Sequence, residues 1–142
     1  MEIISPIHGT INYEEDEIII FENGVPGFNN LKKFIIKEIE DSPFSLLQSL
    51  EDGEVGFILI SPFSVYEDYE IKLNDEIINS LSINSSEEIL LYSIVTLNSK
   101  LEEITANLKA PIVLNIKLKK GQQYIIDQIK YKIKEKIFRD DK

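Results

Sequence analysis

The sequence contains no cysteine or tryptophan, and it has only one histidine among its 142 residues. Without cysteine, the chain has no disulfide bond, thiolate zinc site or thiol nucleophile. The single histidine, His8, lies in the turn-like segment 6–9, and one histidine excludes a histidine-rich metal site. Since histidine is also the commonest catalytic base, we expect no catalytic residue, no metal and no cofactor.

Long apolar runs are also lacking. The longest, such as residues 57–60, are far too short to span a bilayer. The first residues lack the basic region and apolar run of a signal peptide. Together with the absence of cysteine, which suits a reducing cytosol, this pattern predicts a cytoplasmic protein that does not associate with membranes.

Basic residues are scarce in most of the chain. Residues 1–116 contain six Lys or Arg against 21 Asp or Glu, a net charge of −15, whereas residues 117–142 carry a net +5. An acidic body repels phosphate backbones, so we expect no direct nucleic-acid binding, and basic proteins are the natural partners. Acidity that serves solubility alone is the alternative. Residues 130–142 are predicted to be a loosely ordered basic tail. Within it, residues 130–136 are interpreted as the solvated face of a final strand or helix, with a contact site for an anionic group as the alternative.

Short runs of β-branched and aromatic residues, separated by Gly, Pro, Asn and Asp, make up most of the sequence. This pattern is typical of many short strands. Because closure removes the exposed edges of a sheet, it predicts a mainly β, antiparallel, barrel-like fold in one domain over 1–142. The predicted strands are residues 3–7, 17–21, 33–39, 44–50, 55–61, 69–73, 89–97, 104–108, 112–118 and 123–127.

Three segments give more local predictions. Apolar residues alternate along 112–118, and the turn residues 119–122 follow, which predicts a β-hairpin. A capping asparagine, acidic residues and helically spaced apolar positions predict one short helix over 74–81. Segment 126–137 fits both a strand and a helix period, and we favour a strand.

The carboxylate clusters are predicted to be solvated turns. Residues 14–17 lack the alternating spacing, central glycine and distal glutamate of a calcium loop. Residues 51–54 are typical of a hairpin turn, with a glycine at the bend. A carboxylate-based hydrolase remains an alternative, and it requires two acids that converge in a closed pocket.

Several motifs in order resemble the FliW family of flagellar assembly factors, over about residues 3–131. Each motif alone is weak, and their order at the family's spacing is specific. They are Phe-Glu-Asn-Gly-Val-Pro-Gly-Phe at 21–28, Pro-Phe-Ser-Leu-Leu-Gln-Ser-Leu-Glu-Asp at 43–52, Phe-Ile-Leu-Ile-Ser-Pro-Phe at 57–63, Asp-Tyr-Glu at 68–70, Thr-Ala-Asn-Leu-Lys-Ala-Pro-Ile-Val-Leu-Asn at 105–115 and Gly-Gln-Gln-Tyr at 121–124.

The resemblance implies a non-enzymatic, β-barrel-like protein that binds newly made flagellin. It further implies that the protein, once free of flagellin, binds the translational repressor CsrA and relieves its repression of flagellin translation. Such a switch requires that the two partners disfavour each other, through one shared surface or through coupled sites. A small-molecule-binding β-barrel with a deep apolar cavity is a further alternative.

Candidate partner-binding residues are taken from these motifs, and each has a competing structural role. A phenylalanine is more often a core residue than a contact residue. Asparagine, glutamine and serine side chains are typical buried hydrogen-bonding groups. The aspartates and glutamates are candidates for contact with CsrA. The candidates are Phe28, Gln48, Ser49, Glu51, Asp52, Glu54, Asp68, Glu70, Asn107 and Asn115.

Overall fold

The computed structural model describes residues 1–127 and 130–138. In this part of the chain the fold is mainly β, as predicted, with two short α-helices and three 3₁₀ turns at Glu15–Glu17, Ser86–Glu88 and Leu101–Glu103. The helices are α1 (Pro62–Val65) and α2 (Asp75–Ser80). The strands are β1 (Glu2–Ser5), β2 (Gly9–Asn12), β3 (Ile19–Ile20), β4 (Lys33–Glu38), β5 (Phe44–Ser49), β6 (Gly56–Ile60), β7 (Ile89–Thr96), β8 (Thr105–Ala106), β9 (Ile112–Asn115), β10 (Lys120–Gln123) and β11 (Glu135–Lys136).

Strand pairing closes the main sheet into a ring. Strands β3 to β7 pair antiparallel in chain order, β7 pairs with β9, and β9 pairs with β10. The last junction is parallel and joins Lys120 of β10 to Ile20 of β3. Strands β8 and β11 extend from β7, and β1 and β2 form a separate hairpin. This pairing agrees with the predicted barrel-like fold, with one parallel junction in an otherwise antiparallel sheet.

Two large apolar clusters fill the protein. One lies within the ring, where the rings of Phe21 and Phe34 meet edge to face at 5.3 Å and Leu47, Leu59 and Ile112 are fully buried. The other is centred on buried side chains of β6, β7, β8, the loop after β8 and the C-terminal segment, namely Ile60, Val95, Ala106, Leu108, Ile126 and Tyr131. Burial of this apolar surface is the main favourable contribution to folding.

The predicted helix at 74–81 is confirmed, because the Asn74 side chain caps α2 by accepting a hydrogen bond from the Ile77 amide at 3.0 Å. Helix α1, which has Pro62 at its first turn, was not predicted, and neither was β2. The predicted hairpin forms with its turn at 116–119, earlier than expected. The Asn115 side chain accepts from the next amides and ends β9 there.

The predicted strand at 69–73 is wrong. Tyrosine hydroxyls occupy the backbone groups that a strand would use in its ladder. The Glu70 amide donates to the Tyr131 hydroxyl at 2.8 Å, and the Tyr124 hydroxyl donates to the Lys72 carbonyl at 3.0 Å. The Tyr69 amide closes a turn onto the Tyr66 carbonyl. Hydrogen bonds from tyrosine side chains thus take the place of pairing with a neighbouring strand.

The C-terminal segment forms a strand only at Glu135–Lys136, which pairs with β8. The rest of the predicted strand at 126–137 is irregular where it is described, and residues 128–129 lie outside the described residues, as do residues 139–142 of the predicted tail. Tyr131 is buried, and the Phe138 ring packs edge to face on Phe44. The single domain and the loosely ordered tail stay predictions.

Substituting alanine for Gly121 is expected to destabilise the ring. A Cβ atom at this position of β10 would lie 2.5 Å from the Phe21 ring and 2.8 Å from a Leu114 methyl group, so the core must shift. We expect Gly121→Ala to lower the free energy of unfolding by about 1–3 kcal/mol, as measured by urea denaturation. The neighbouring Lys120→Ala is the control and should cost much less. Equal losses in the two variants would contradict this account.

Candidate protein-binding surface

Two buried polar side chains build the turn between β5 and β6. The Gln48 side-chain amide, 1% exposed, lies within hydrogen-bonding distance of the Gly53 and Val55 carbonyls, both at 3.2 Å. The Ser49 hydroxyl, also buried, accepts from the amides of Glu51 at 3.1 Å and Asp52 at 3.0 Å. These predicted contact residues therefore hold the turn from inside, because buried polar groups require hydrogen-bond partners.

The acidic turn, residues 51–54, displays its carboxylates on the surface. Glu51, Asp52 and Glu54 are all exposed. The Glu51 carboxylate accepts hydrogen bonds from the backbone amides of Lys33 and Lys32, and these bonds hold its pKa below the ordinary value. The negative charge is therefore fixed in place at neutral pH.

Phe28 lies in the loop that precedes β4. It closes a tight turn with Val25, is 37% exposed, and its ring meets Phe57 edge to face at 6.2 Å. The loop that carries Phe28 leads into Lys32, whose amide bonds to Glu51. Six of the predicted residues are thus connected through residues 48–57, four of them with exposed side chains and two as supports.

The N-terminal hairpin packs against the acidic turn. A Cβ atom on Gly53 would lie within 2.2 Å of the Ile4 carbonyl oxygen, so the two backbones approach too closely for any side chain there. At the hairpin's own turn, the His8 amide donates to the Ser5 hydroxyl at 3.2 Å.

A concave surface, here called the hairpin groove, lies between the hairpin and strands β5 and β6. Its volume is about 350 Å³, and its lining includes Ile7, Leu46, Gln48, Glu54, Ile58 and Leu97. Two predicted residues, Gln48 and Glu54, therefore line it. Sequence reasoning missed Ile7 and Leu97, since nothing in the residue pattern distinguishes an exposed aliphatic residue from a core residue.

Asp68 and Glu70 lie in a second region, around α1 and the C-terminal segment. Between them, the buried Tyr69 hydroxyl donates to the Leu108 carbonyl at 2.7 Å, which joins this segment to the loop of Asn107. Burial, with a smaller contribution from nearby Tyr131, raises the pKa of Tyr69 well above its ordinary range. Asp68 and Glu70 are exposed.

The two predicted asparagines serve the fold. The Asn107 carbonyl oxygen accepts from the amides of Lys109 and Ala110, both at 3.0 Å. Asn115 is fully buried, and its amide donates to the Leu81 carbonyl at 2.8 Å. The structure therefore separates the ten residues into one connected set at 48–57 with Phe28, a second set with Asp68, Glu70 and Asn107, and Asn115 apart.

The described residues offer little for catalysis or metal binding. Within residues 1–127 and 130–138, no three side chains of His, Asp or Glu gather to form a metal site. Glu17 and Glu38 line a second concave surface, but Glu17 is ion-paired with Lys37 at 2.7 Å, and that bond lowers its pKa. A catalytic acid needs the opposite shift. No helix in the described part is long and apolar enough to cross a membrane.

Two fully buried serines should respond in opposite ways to alanine. Ser49→Ala removes the acceptor of two backbone amides and should lower the free energy of unfolding by about 1–3 kcal/mol. The Ser93 hydroxyl in β7 has no hydrogen-bond partner among the described residues. Ser93→Ala should therefore leave stability unchanged or raise it by up to about 1 kcal/mol. Urea denaturation of both variants tests this, and a large loss at Ser93 would contradict it.

Glu51→Gln should reduce stability in a pH-dependent way. Because the pKa of Glu51 is lowered in the folded state, its charge stabilises the protein above the ordinary glutamate pKa, and this contribution is lost as pH falls through the lowered value. We expect the variant to be less stable at neutral pH by under about 1 kcal/mol, since solvent screens the charge. Denaturation curves of both proteins should converge in acid, and a constant difference would contradict the assignment.

Comparison with known proteins identifies the family. The family model described as "FliW protein" matches residues 2–137. The flagellar assembly factors FliW of Clostridium novyi and Clostridium tetani are 50% and 49% identical to this chain, over 99% of it and 99% and 98% of their own lengths. A crystal structure of the flagellar assembly factor FliW, 38% identical, superposes with a TM-score of 0.92 over 99% of both chains. The chain therefore belongs to the FliW family of flagellar assembly factors.

Proposed function

We propose that this flagellar assembly factor acts in the cytoplasm as a stoichiometric binding protein with two partners. It binds flagellin and, when free of flagellin, binds the translational repressor CsrA and relieves repression of flagellin translation. The observation that carries the proposal is family membership over nearly the whole chain, which covers every predicted contact residue.

The charge of the surface supports this proposal. The acidic turn exposes three carboxylates, Phe28 is 37% exposed against Phe57, and Asp68 and Glu70 add a second acidic region. CsrA, as an RNA-binding protein, is expected to present basic surfaces, and opposite charge speeds association and favours the correct orientation. A mixture of carboxylates and an exposed aromatic ring suits a protein partner better than a nucleic acid.

The two alternative functions lack support in the described part of the chain. A small-molecule-binding barrel needs a deep apolar cavity. Phe21, Phe34 and Leu47 are fully buried within the ring. The concave surface beside Ile19 and Leu114, about 290 Å³ in volume, is open to solvent and includes charged residues in its lining. A carboxylate hydrolase needs two converging acids in a closed pocket, and the pair Glu17 and Glu38 faces an open surface with Glu17 neutralised by Lys37.

Calorimetric titration with flagellin and CsrA of the same organism tests the proposal. Each partner is added alone and then with the other already bound. We expect stoichiometric binding of both, with each weakening the other by about fivefold or more. Binding of neither partner would overturn the proposal.

Charge-removing variants test the acidic turn. The triple variant Glu51→Gln, Asp52→Asn, Glu54→Gln should weaken CsrA binding by roughly 3-fold to 100-fold, on the basis of about 0.2–1 kcal/mol for each exposed charge pair. The matched control changes Glu87, Glu102 and Glu103 to Gln, which removes the same charge at other exposed positions. An equal loss in both variants would show that net charge alone, and not this turn, controls binding.

A further inference from the structure

The N-terminal hairpin exposes more aliphatic surface than its own packing explains. Ile4 is 68% exposed and Ile7 is 83% exposed, and Leu97 at the end of β7 is 58% exposed. Ile7 and Leu97 both line the hairpin groove, whose floor includes the buried Leu46 and half-buried Ile58. Clustered exposed apolar residues next to a concave surface are typical of interaction sites.

The groove has a fixed frame. The Gly53 backbone packs directly on the Ile4 carbonyl of the hairpin, and the buried Gln48 amide holds the acidic turn from beneath. The groove therefore lies between the hairpin, which packs on this turn, and strands β5 and β6. A preformed groove costs less ordering on binding than a flexible loop does.

Charge determines which segment suits the groove. Its lining includes Glu54, with Asp52 in the same turn, and among the described residues no Lys or Arg contributes to it. A second copy of this chain would bring its net charge of −10 against an equal charge. The second concave surface, beside Leu90 and Ile116, has both lysine and glutamate in its lining and therefore does not favour a segment of either charge.

We propose that the hairpin groove is a docking site for an aliphatic segment of a partner protein that carries a basic side chain. The aliphatic side chains contact Ile7, Ile58 and Leu97, and the basic group faces Glu54. This proposal rests on the proposed function only because it takes the partner to be a protein. It places the binding contact on an apolar groove, which the positions of the acidic residues alone do not identify.

Synthetic peptides test the groove directly. Three peptides of equal length are titrated into the ¹⁵N-labelled protein: one of leucine and lysine, one with glutamate for lysine, and one with serine for leucine. We expect amide shifts at Ile7, Gly56 and Leu97 with the leucine–lysine peptide only, and their loss in the variant Ile7→Ser, Leu97→Ser. Equal shifts with another peptide, or shifts centred on Leu90 and Ile116, would overturn the proposal.

Titration with the proposed partners completes the test. The same double variant should weaken binding of flagellin or CsrA by about tenfold or more. Ile125→Ser, at a position 69% exposed outside the groove lining, is the control and should bind as the wild type does. If wild-type affinity persists in the double variant, the proposal fails while the proposed function stands. If the wild type binds neither protein, the proposed function fails, and the peptide titration alone then shows whether the groove is a docking site.

Discussion

Strand β7 is the constraint on which the rest of the fold depends. Residues 93–95 pair with β6 on one edge, while residues 89–92 pair with β9 and residues 95–96 pair with β8 on the other. This strand therefore joins β6 to β9 within the ring and also pairs with β8, which in turn pairs with β11 of the C-terminal segment. The apolar interior can pack at high density because the ring surrounds it.

Buried polar side chains then shape what the ring presents to solvent. Gln48 and Ser49 hold the acidic turn, and Asn115 links the end of α2 to the turn between β9 and β10. Each satisfies backbone groups that neither sheet nor helix reaches. The shape of these exposed turns thus depends on buried residues, and substitutions at those positions are expected to move the turns.

The sequence predicted the main features of the fold because they depend on local periodicity and turn chemistry. Alternation located β9, and the cap at Asn74 located α2. The failures have long-range causes: residues 69–73 resemble a strand, but distant tyrosines bind their backbone. Likewise, Gln48 and Glu54 are both polar residues of one motif, yet one supports the turn and the other faces solvent. Only the tertiary structure separates those roles, and only it brings Ile7 next to Leu97.

The parallel junction between β3 and β10 has a consequence for how the chain is made. Ile20 leaves the ribosome early, but its pairing partner Lys120 is synthesised near the end. The ring therefore cannot close during most of translation, and the antiparallel strands β4 to β6 form their local pairs first. Until β10 emerges, β3 and the apolar face behind it stay open, which makes the nascent chain vulnerable to aggregation. The late arrival of one short strand thus sets how long the inner apolar face stays accessible to solvent.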